Sequence, residues 1–481
     1  MPAAVIVGGS VAGLAGALAL SGIGYRVLVL ERAPKPPQRS IAEAVSRWER
    51  PTVPQGLHSH TLTSLGVRVL RERAPQVLAA ARLAGAPTLD LTDALPADAT
   101  DAAREPGDAE LVALGCRRAS LELMLHRAAG ERPAVTVRHD TTVAGVELDR
   151  SARRVLAVVT SDGTRVPADI VVDATGRRAL SRTWLRDAGL PVAADRTSPS
   201  GLTGYTRFYR LRTSSFPGPL NRGNAAGDIF GHYAGVLHPG DNGTFSIALA
   251  TLPGDRVLRG LRGPAGFTAA ARATPGIAAW LDDRVSTPVS PVRAIASPAN
   301  TLWGPATTRQ IPVAGLFPVG DAACITNPLF GRGMSLALDH VFRLADLLAG
   351  QPNVDIAQRE AVARMTQRLF LPWYELSAAS DGLRIARWRA AADGVPAPAP
   401  ARSPGGRPGL DEVAAAARGD GTVWRGLTRI LMSLSTPAEV LGDEKFLARV
   451  RQAQPPTGAR PEGPGRDEIV RRVRAAEEAA A

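Results

Sequence analysis

VIVGGSVAGLAGALAL, Val5–Leu20, is the stretch on which the reading of this chain turns. It sets Gly8, Gly9, Ser10 and Gly13 between a short apolar run, AAVIVG at 3–8, and a segment of small helix formers, Ala12 to Ser21. Gly22 and Gly24 end that helix, and YRVLVLER at 25–32 supplies the next strand. Strand, glycine turn, helix and strand in about thirty residues make a βαβ unit. A helix N-terminus over such a turn carries partial positive charge and suits a pyrophosphate. Ser10 occupies the place of the second glycine in the G-x-G-x-x-G fingerprint; it is small, and its hydroxyl is available to a phosphate oxygen. Glu31 closes the second strand where an acceptor for a ribose hydroxyl belongs, with Arg32 beside it. The turn alone does not choose the nucleotide.

Composition narrows the classes. The 481 residues suffice for two or three domains, and 45% hydrophobic with 21% charged residues is ordinary for a soluble globular protein. The net charge of +12 invites a nucleic-acid reading, but the 57 basic residues include only two lysines, Lys35 and Lys445, and the arginines are dispersed. No nucleic-acid footprint results. Cys116 and Cys324 give neither a disulfide framework nor a metal spacing, so a reducing cytoplasm is expected. Ala3–Leu30 mimics a membrane span, but six glycines and Arg26 interrupt it, and no membrane association is expected.

Further along, TLTSLGVRVLRERA and LELMLHRAAGE read as helices, with a polar, Pro/Asp-rich insertion or loop at 85–110. Residues 135–172 alternate as strands, with a hairpin at Asp162-Gly163. YTRFYRLR and GTFSIALATL are strands of a second, sheet-bearing region, which also holds a helical stretch, GFTAAARATPGIAAWLDD. The fold class expected is α/β: a Rossmann-like nucleotide domain with an inserted β-sheet domain and a C-terminal helical region. The divisions fall at 1–195, 196–305, 306–394 and 395–481, the last opening on a Pro/Gly linker, GVPAPAPARSPGGRPG. The C-terminal helices could cover the active site, form a dimer contact or pack on the surface.

GLFPVGDAACITNPLFGRGMSLAL, 315–338, chooses the nucleotide. Gly320-Asp321 follows an apolar strand, Pro328 comes seven residues after Asp321, and Gly331, Gly333 and Met334 open a long helix. This arrangement resembles the flavin-ribityl motif of single-component FAD monooxygenases, the group typified by p-hydroxybenzoate hydroxylase. The resemblance implies non-covalent FAD, with Asp321 accepting from the ribityl chain and the helix N-terminus facing the pyrimidine end of the flavin. RRASLELML resembles the R-x-x-L-E segment of the same family, whose basic residue, here Arg118, lies near the FAD phosphates. The resemblance spans about residues 3–375. It departs at ADIVVDATGRRALSRTWL, where Gly176-Arg177 follows Ala-Thr instead of the usual Asp. NAD(P)H is therefore expected as reductant either directly or through a separate flavin reductase.

VPQGLHSHTL and NPLFGRGMSLAL look most like an actinobacterial branch of natural-product monooxygenases that includes polyether epoxidases. What the family implies is reduction of FAD by NAD(P)H, addition of O₂ to give a flavin hydroperoxide, and oxygen transfer to an aromatic, polyketide or terpenoid intermediate. The cofactor does the difficult chemistry, so no acid or base is required. His58 and Gln55, in the loop after the second strand, are candidates to face flavin or substrate; the alternative is that the histidines simply hold the loop. No metal site is expected, since His58 and His60 lack a third ligand with plausible spacing. Tyr205, Arg207 and Tyr209 alternate on one side of a strand and either line a substrate pocket or form an outer sheet face. A halogenase is argued against by the scarcity of lysine and by an isolated Trp48. The alternatives are an FAD dehydrogenase or oxidase acting by hydride abstraction, and a non-catalytic FAD-containing binding protein.

Overall fold

The structure is a computed structural model; it describes residues 1–149, 151, 153–308, 313–398, 408–453 and 463–480. Its first sheet is parallel. β1 (Ala3–Val7) pairs on one side with β2 (Arg26–Leu30), which pairs with β3 (Val135–Arg138); on the other side it pairs with β4 (Ile170–Asp173), which pairs with β9 (Leu316–Pro318). The order β9-β4-β1-β2-β3 brings a strand from position 316 within two strands of the N-terminus. These strands are short and apolar because helices bury them, as parallel sheets require. The helices are α1 (Val11–Gly22), α2 (Ser64–Arg73), α3 (Arg118–Gly130) and α5 (Gly333–Gly350), which share one core with β1 and β2.

The second sheet is antiparallel and runs β6 (Ala226–Ile229), β7 (Ala234–Pro239), β8 (Thr244–Thr251), β5 (Thr203–Leu211), then Ser286–Pro288, with Arg293–Ala296 also on β5. One face is covered by α4 (Pro264–Ala273) and by α8 (Arg466–Glu478) from the far end of the sequence; Phe267, Ile469 and Val473 are buried there with Phe245, Ile247 and Leu249. The helical stretch expected at 266–283 is broken: α4 stops at Ala273, Pro275-Gly276 turns the chain, and one 3₁₀ turn follows at Ala278–Leu281. The Asp162-Gly163 hairpin forms between Arg154–Thr160 and Arg165–Pro167. The sequence therefore folds as expected, into a Rossmann-like domain with an inserted β-sheet domain.

The C-terminal helices pack on the 85–114 segment, part of which pairs as a short hairpin, Thr88–Asp90 with Val112–Leu114. Arg425 on α7 (Gly421–Leu431) donates to both Asp108 oxygens, at 2.7 and 2.9 Å, and to the carbonyls of Asp101 and Ala103. The stretch read as an insertion or loop at 85–110 is thus held by a buried ion pair. Most of the Pro/Gly linker lies outside the described residues. Within them no helix is long and apolar enough to cross a membrane, and no group of three His, Cys, Asp or Glu is placed to hold a metal.

Candidate functional site

At the C-terminal ends of β1, β4 and β9 the two glycine motifs meet. A Cβ at Gly13 would overlap the carbonyl oxygen of Gly8, so α1 lies directly on the turn. Gly320, at φ +59°, would place a Cβ 3.0 Å from that of Ala12 and 3.3 Å from that of Ala337. Only a residue without a side chain lets the turn after β9 wedge between α1 and α5. His340 on α5 fixes it: Gly320 N–H donates to Nδ1 at 3.3 Å, so the proton sits on Nε2, which reaches Thr366 Oγ1 at 2.9 Å. Burial lowers His340 to about 3 and keeps the ring neutral. The sequence reading missed this residue; a lone histidine on an apolar helix face gives no signal.

Around the turn the candidates converge. Glu31 is buried; its Oε2 accepts from Gly9 N–H at 2.7 Å and its Oε1 from Ala33 N–H at 2.8 Å. Arg32, next to it, is exposed. Arg118 Nη2 donates to Ser10 Oγ at 3.0 Å, and Ser10 donates in turn to Glu122 Oε2 at 2.6 Å. The Ser10 hydroxyl, expected to serve a phosphate, is therefore spent inside the protein on a carboxylate. Glu122 also pairs with Arg50 at 2.7 Å. It belongs to the R-x-x-L-E segment, so its signal was present but was read only for the arginine. Asp173, fully buried at the end of β4, holds the departing turn by accepting from Thr175 N–H, Thr175 Oγ1 and Ser181 N–H.

Asp321 sits beneath the α5 N-terminus, its backbone carbonyl accepting from Trp303 Nε1 at 2.8 Å. Among the described residues no hydrogen-bond donor reaches its carboxylate. Burial raises its pKa, opposed by the charges of Arg118 and Arg177. The loop from Pro328 to Met334 runs onto α5, with Pro328 exposed and Met334 buried. Gly331 adopts φ +63° above Thr61. Below the loop a buried carboxylate, Asp381 on α6 (Ile356–Asp393), accepts from Asn300 at 2.8 Å, Asn327 at 2.6 Å and Arg384 at 3.0 Å. Arg332 lies buried between the rings of Phe330 and Trp373, at 4.5 and 4.9 Å, and none of its three side-chain nitrogens has a hydrogen-bond partner among the described residues. Burial lowers it to about 9.

The open face of the second sheet closes the site. His58 Nδ1 lies 3.0 Å from Thr206 Oγ1, and Ser59 Oγ lies 2.8 Å from Ser246 Oγ, which seats the 58–60 loop on that face. Gln55 is half-buried in the 3₁₀ turn just before it. Tyr205, Arg207 and Tyr209 do share one side of β5, but it is neither pocket nor outer surface. Tyr205 and Tyr209 are buried in the core under α4, Tyr209 stacked on Phe245, and Arg207 bonds Ser290 and Thr268. Two helices cover that side, so the intervening residues, Thr206 among them, face the nucleotide domain. Cys116 and Cys324 are buried and unpaired.

These features define a fold: a Rossmann-like domain whose glycine turn and second strand-to-helix turn share one sheet edge, beside an inserted sheet, is an architecture found in FAD-dependent monooxygenases and in flavin-dependent halogenases alike. No known protein-family profile matches the chain. Protein Rv3254 of Mycobacterium tuberculosis is 28% identical over 405 residues, covering 79% of this chain and 80% of its own. PqsL of Pseudomonas aeruginosa, described as a probable FAD-dependent monooxygenase, superposes with a TM-score of 0.58 at 17% identity, over 81% of this chain and 98% of its own. OxyS, the anhydrotetracycline hydroxylase of Streptomyces rimosus, superposes at 0.56 and 16% identity, over 90% and 76%. CmlS, a flavin-dependent halogenase, has the fold as well.

Proposed function

We propose that the chain is an FAD-dependent monooxygenase that spends NAD(P)H and O₂ to hydroxylate or epoxidise a natural-product intermediate. The observation that carries this reading is the meeting of two motifs three hundred residues apart. Gly320 packs on α1 beside the Gly8–Gly13 turn, and Asp321, whose carboxylate has no donor among the described residues, is left under the α5 N-terminus. These residues fit FAD. The turn at Gly8, Gly9 and Gly13 would take the pyrophosphate, with Arg118 nearby, and Glu31 the adenosine ribose. Asp321 would accept from the ribityl hydroxyls, and the N–H groups of Gly333 and Met334 would meet negative charge at the pyrimidine end. Bound there, the flavin supplies electrons and activates oxygen. The protein orients the substrate and keeps water out, which the half-buried 58–60 loop and the sheet face over it serve. Cys324, buried and with its thiol pushed up by burial, is no tether for the cofactor.

Against halogenation, both lysines are exposed, Lys35 beyond β2 and Lys445 near the C-terminus, so neither meets the site. The purified protein should be yellow and should release FAD on denaturation. Reduced protein mixed with O₂ should show a transient oxygenated-flavin spectrum in stopped flow. Anaerobic flavin reduction by the organic substrate itself would replace this reading with hydride abstraction.

A further inference from the structure

At one point the inserted sheet reaches into the nucleotide domain with a buried carboxylate. β7 and β8 are joined by a tight turn in which Asn242 and Gly243 adopt φ +53° and +62°. Asn-Gly is the pair that such left-handed turns favour. The turn closes on itself: Gly240 N–H donates to the Thr244 carbonyl at 2.7 Å, and the Thr244 hydroxyl to the Asp241 carbonyl at 2.7 Å. The Asp241 side chain takes no part in this closure and is fully buried.

Its surroundings belong to the turn between Leu114 and α3. A Cβ at Gly115 would come within 2.9 Å of the Pro239 carbonyl oxygen, and one at Gly240 within 3.4 Å of Arg117 Cγ, so the hairpin tip lies flush on that turn. Asp241 fills the junction. Its Oδ1 accepts from Arg117 N–H at 2.9 Å and from Arg117 Nε at 3.0 Å; its Oδ2 accepts from Arg117 Nη2 at 2.6 Å and from Ser120 Oγ at 2.8 Å. Burial by itself raises the pKa of this carboxyl, but Arg117 and the hydrogen bonds outweigh burial and hold it below its ordinary range.

Arg117 is the N-cap residue of α3, and its own side chain makes no capping bond. Helices usually begin on a Ser, Thr, Asp or Asn that secures the first turn locally. Here the first turn is secured by a carboxylate 124 residues further along, with a guanidinium clasped bidentately beside it. What that turn carries is the cofactor's neighbour. Arg118 follows at once and uses one donor on Ser10, at 3.0 Å; Glu122, one helical turn on, accepts from Ser10 and pairs with Arg50. Helical geometry fixes successive side chains relative to one another, so whatever holds Arg117 and Ser120 also sets where Arg118 points.

We propose that Asp241, a residue of the inserted sheet, is a positioning residue for FAD: by clasping Arg117 and Ser120 it holds Arg118 at the glycine turn, so that cofactor affinity depends on the docked hairpin. The proposal rests on the flavin reading. Its test is a double-mutant cycle on FAD affinity, read from the fluorescence of flavin released as the holoprotein is diluted. Asp241→Asn removes the charge and should weaken FAD at least about tenfold. In an Arg118→Met background, itself weaker, the same change should have an effect of less than about threefold, because the side chain it places is gone. Ser120→Ala deletes one donor without stranding a charge and covers the case in which Asp241→Asn does not fold; it should weaken FAD about threefold, again only while Arg118 is present. Asp255→Asn breaks another buried pair of the same sheet, with Arg466 at 2.7 and 3.0 Å, and should leave FAD affinity unchanged. Equal losses in both backgrounds would mean a general loosening and overturn the proposal. So would an affinity indifferent to Asp241→Asn and Ser120→Ala, or one as sensitive to Asp255→Asn. A wild-type protein that takes up no FAD would fail the flavin reading itself, whereas wild-type uptake with any of those three results fails the positioning role alone.

Discussion

At the cofactor edge most of the work falls to the backbone. Gly13 touches Gly8, Gly320 wedges between α1 and α5, and the N-termini of these two helices lie at the same edge. On the open face of the second sheet the contacts are made by side chains: His58 with Thr206 and Ser59 with Ser246, hydrogen bonds between one loop and two strands. A backbone site tolerates change in side-chain chemistry but not in volume. A side-chain site tolerates a drift in volume but not a change of donor or acceptor.

The sharpest way to break the contrast is Gly13→Val. The added Cβ alone falls on the Gly8 carbonyl oxygen, and the protein should purify without flavin, as its visible spectrum will tell; a yellow Gly13→Val protein would mean the backbones are not fixed there. Asp381→Ala tests whether the cofactor edge also leans on a side chain. It strands Asn300, Asn327 and Arg384 at once and should cost about 3–5 kcal/mol in denaturant unfolding, the usual penalty for opening a buried pair. An unchanged unfolding midpoint would show that the loop before α5 holds itself.

Acid should act next. The folded His340 titrates at about 3, against 6.5 for the free side chain, so below pH 6.5 the unfolded chain gains a proton that the folded one refuses. Its stabilisation is complete above 6.5 and declines steadily as pH falls towards 3; His60 and His238 add to the same trend. The melting temperature should therefore fall between about pH 7 and pH 5, and less steeply in His340→Gln. A flat profile would contradict the neutral ring. The smallest effect belongs to Ser10→Gly. Its hydroxyl already donates to Glu122, so FAD should stay bound; loss of flavin would restore the phosphate role.

This contrast also decides what could be read from residues alone. Glycine spacing and the strand–helix alternation announce the Rossmann-like sheet and its inserted β-sheet domain, because backbone turns are written locally. Tyr205, Arg207 and Tyr209 were correctly put on one side of a strand, but period-two alternation does not say which side a helix will cover, and α8, which helps to cover it, begins at position 466. Asp381 gave no local signal: Asn300 and Asn327 lie 81 and 54 residues before it, and only packing between elements brings them together. The 85–110 stretch reads only as an insertion or loop because its cation, Arg425, comes 317 residues after Asp108.

α8 has a consequence for how the molecule is made. Ile469 and Val473 complete the apolar layer behind the second sheet, yet they are synthesised more than two hundred residues after the strands they cover. Throughout that interval the nascent chain carries an uncovered greasy flank, the kind of surface that chaperones shield. The apolar layer behind the second sheet is thus complete only once the residues of α8 have been made.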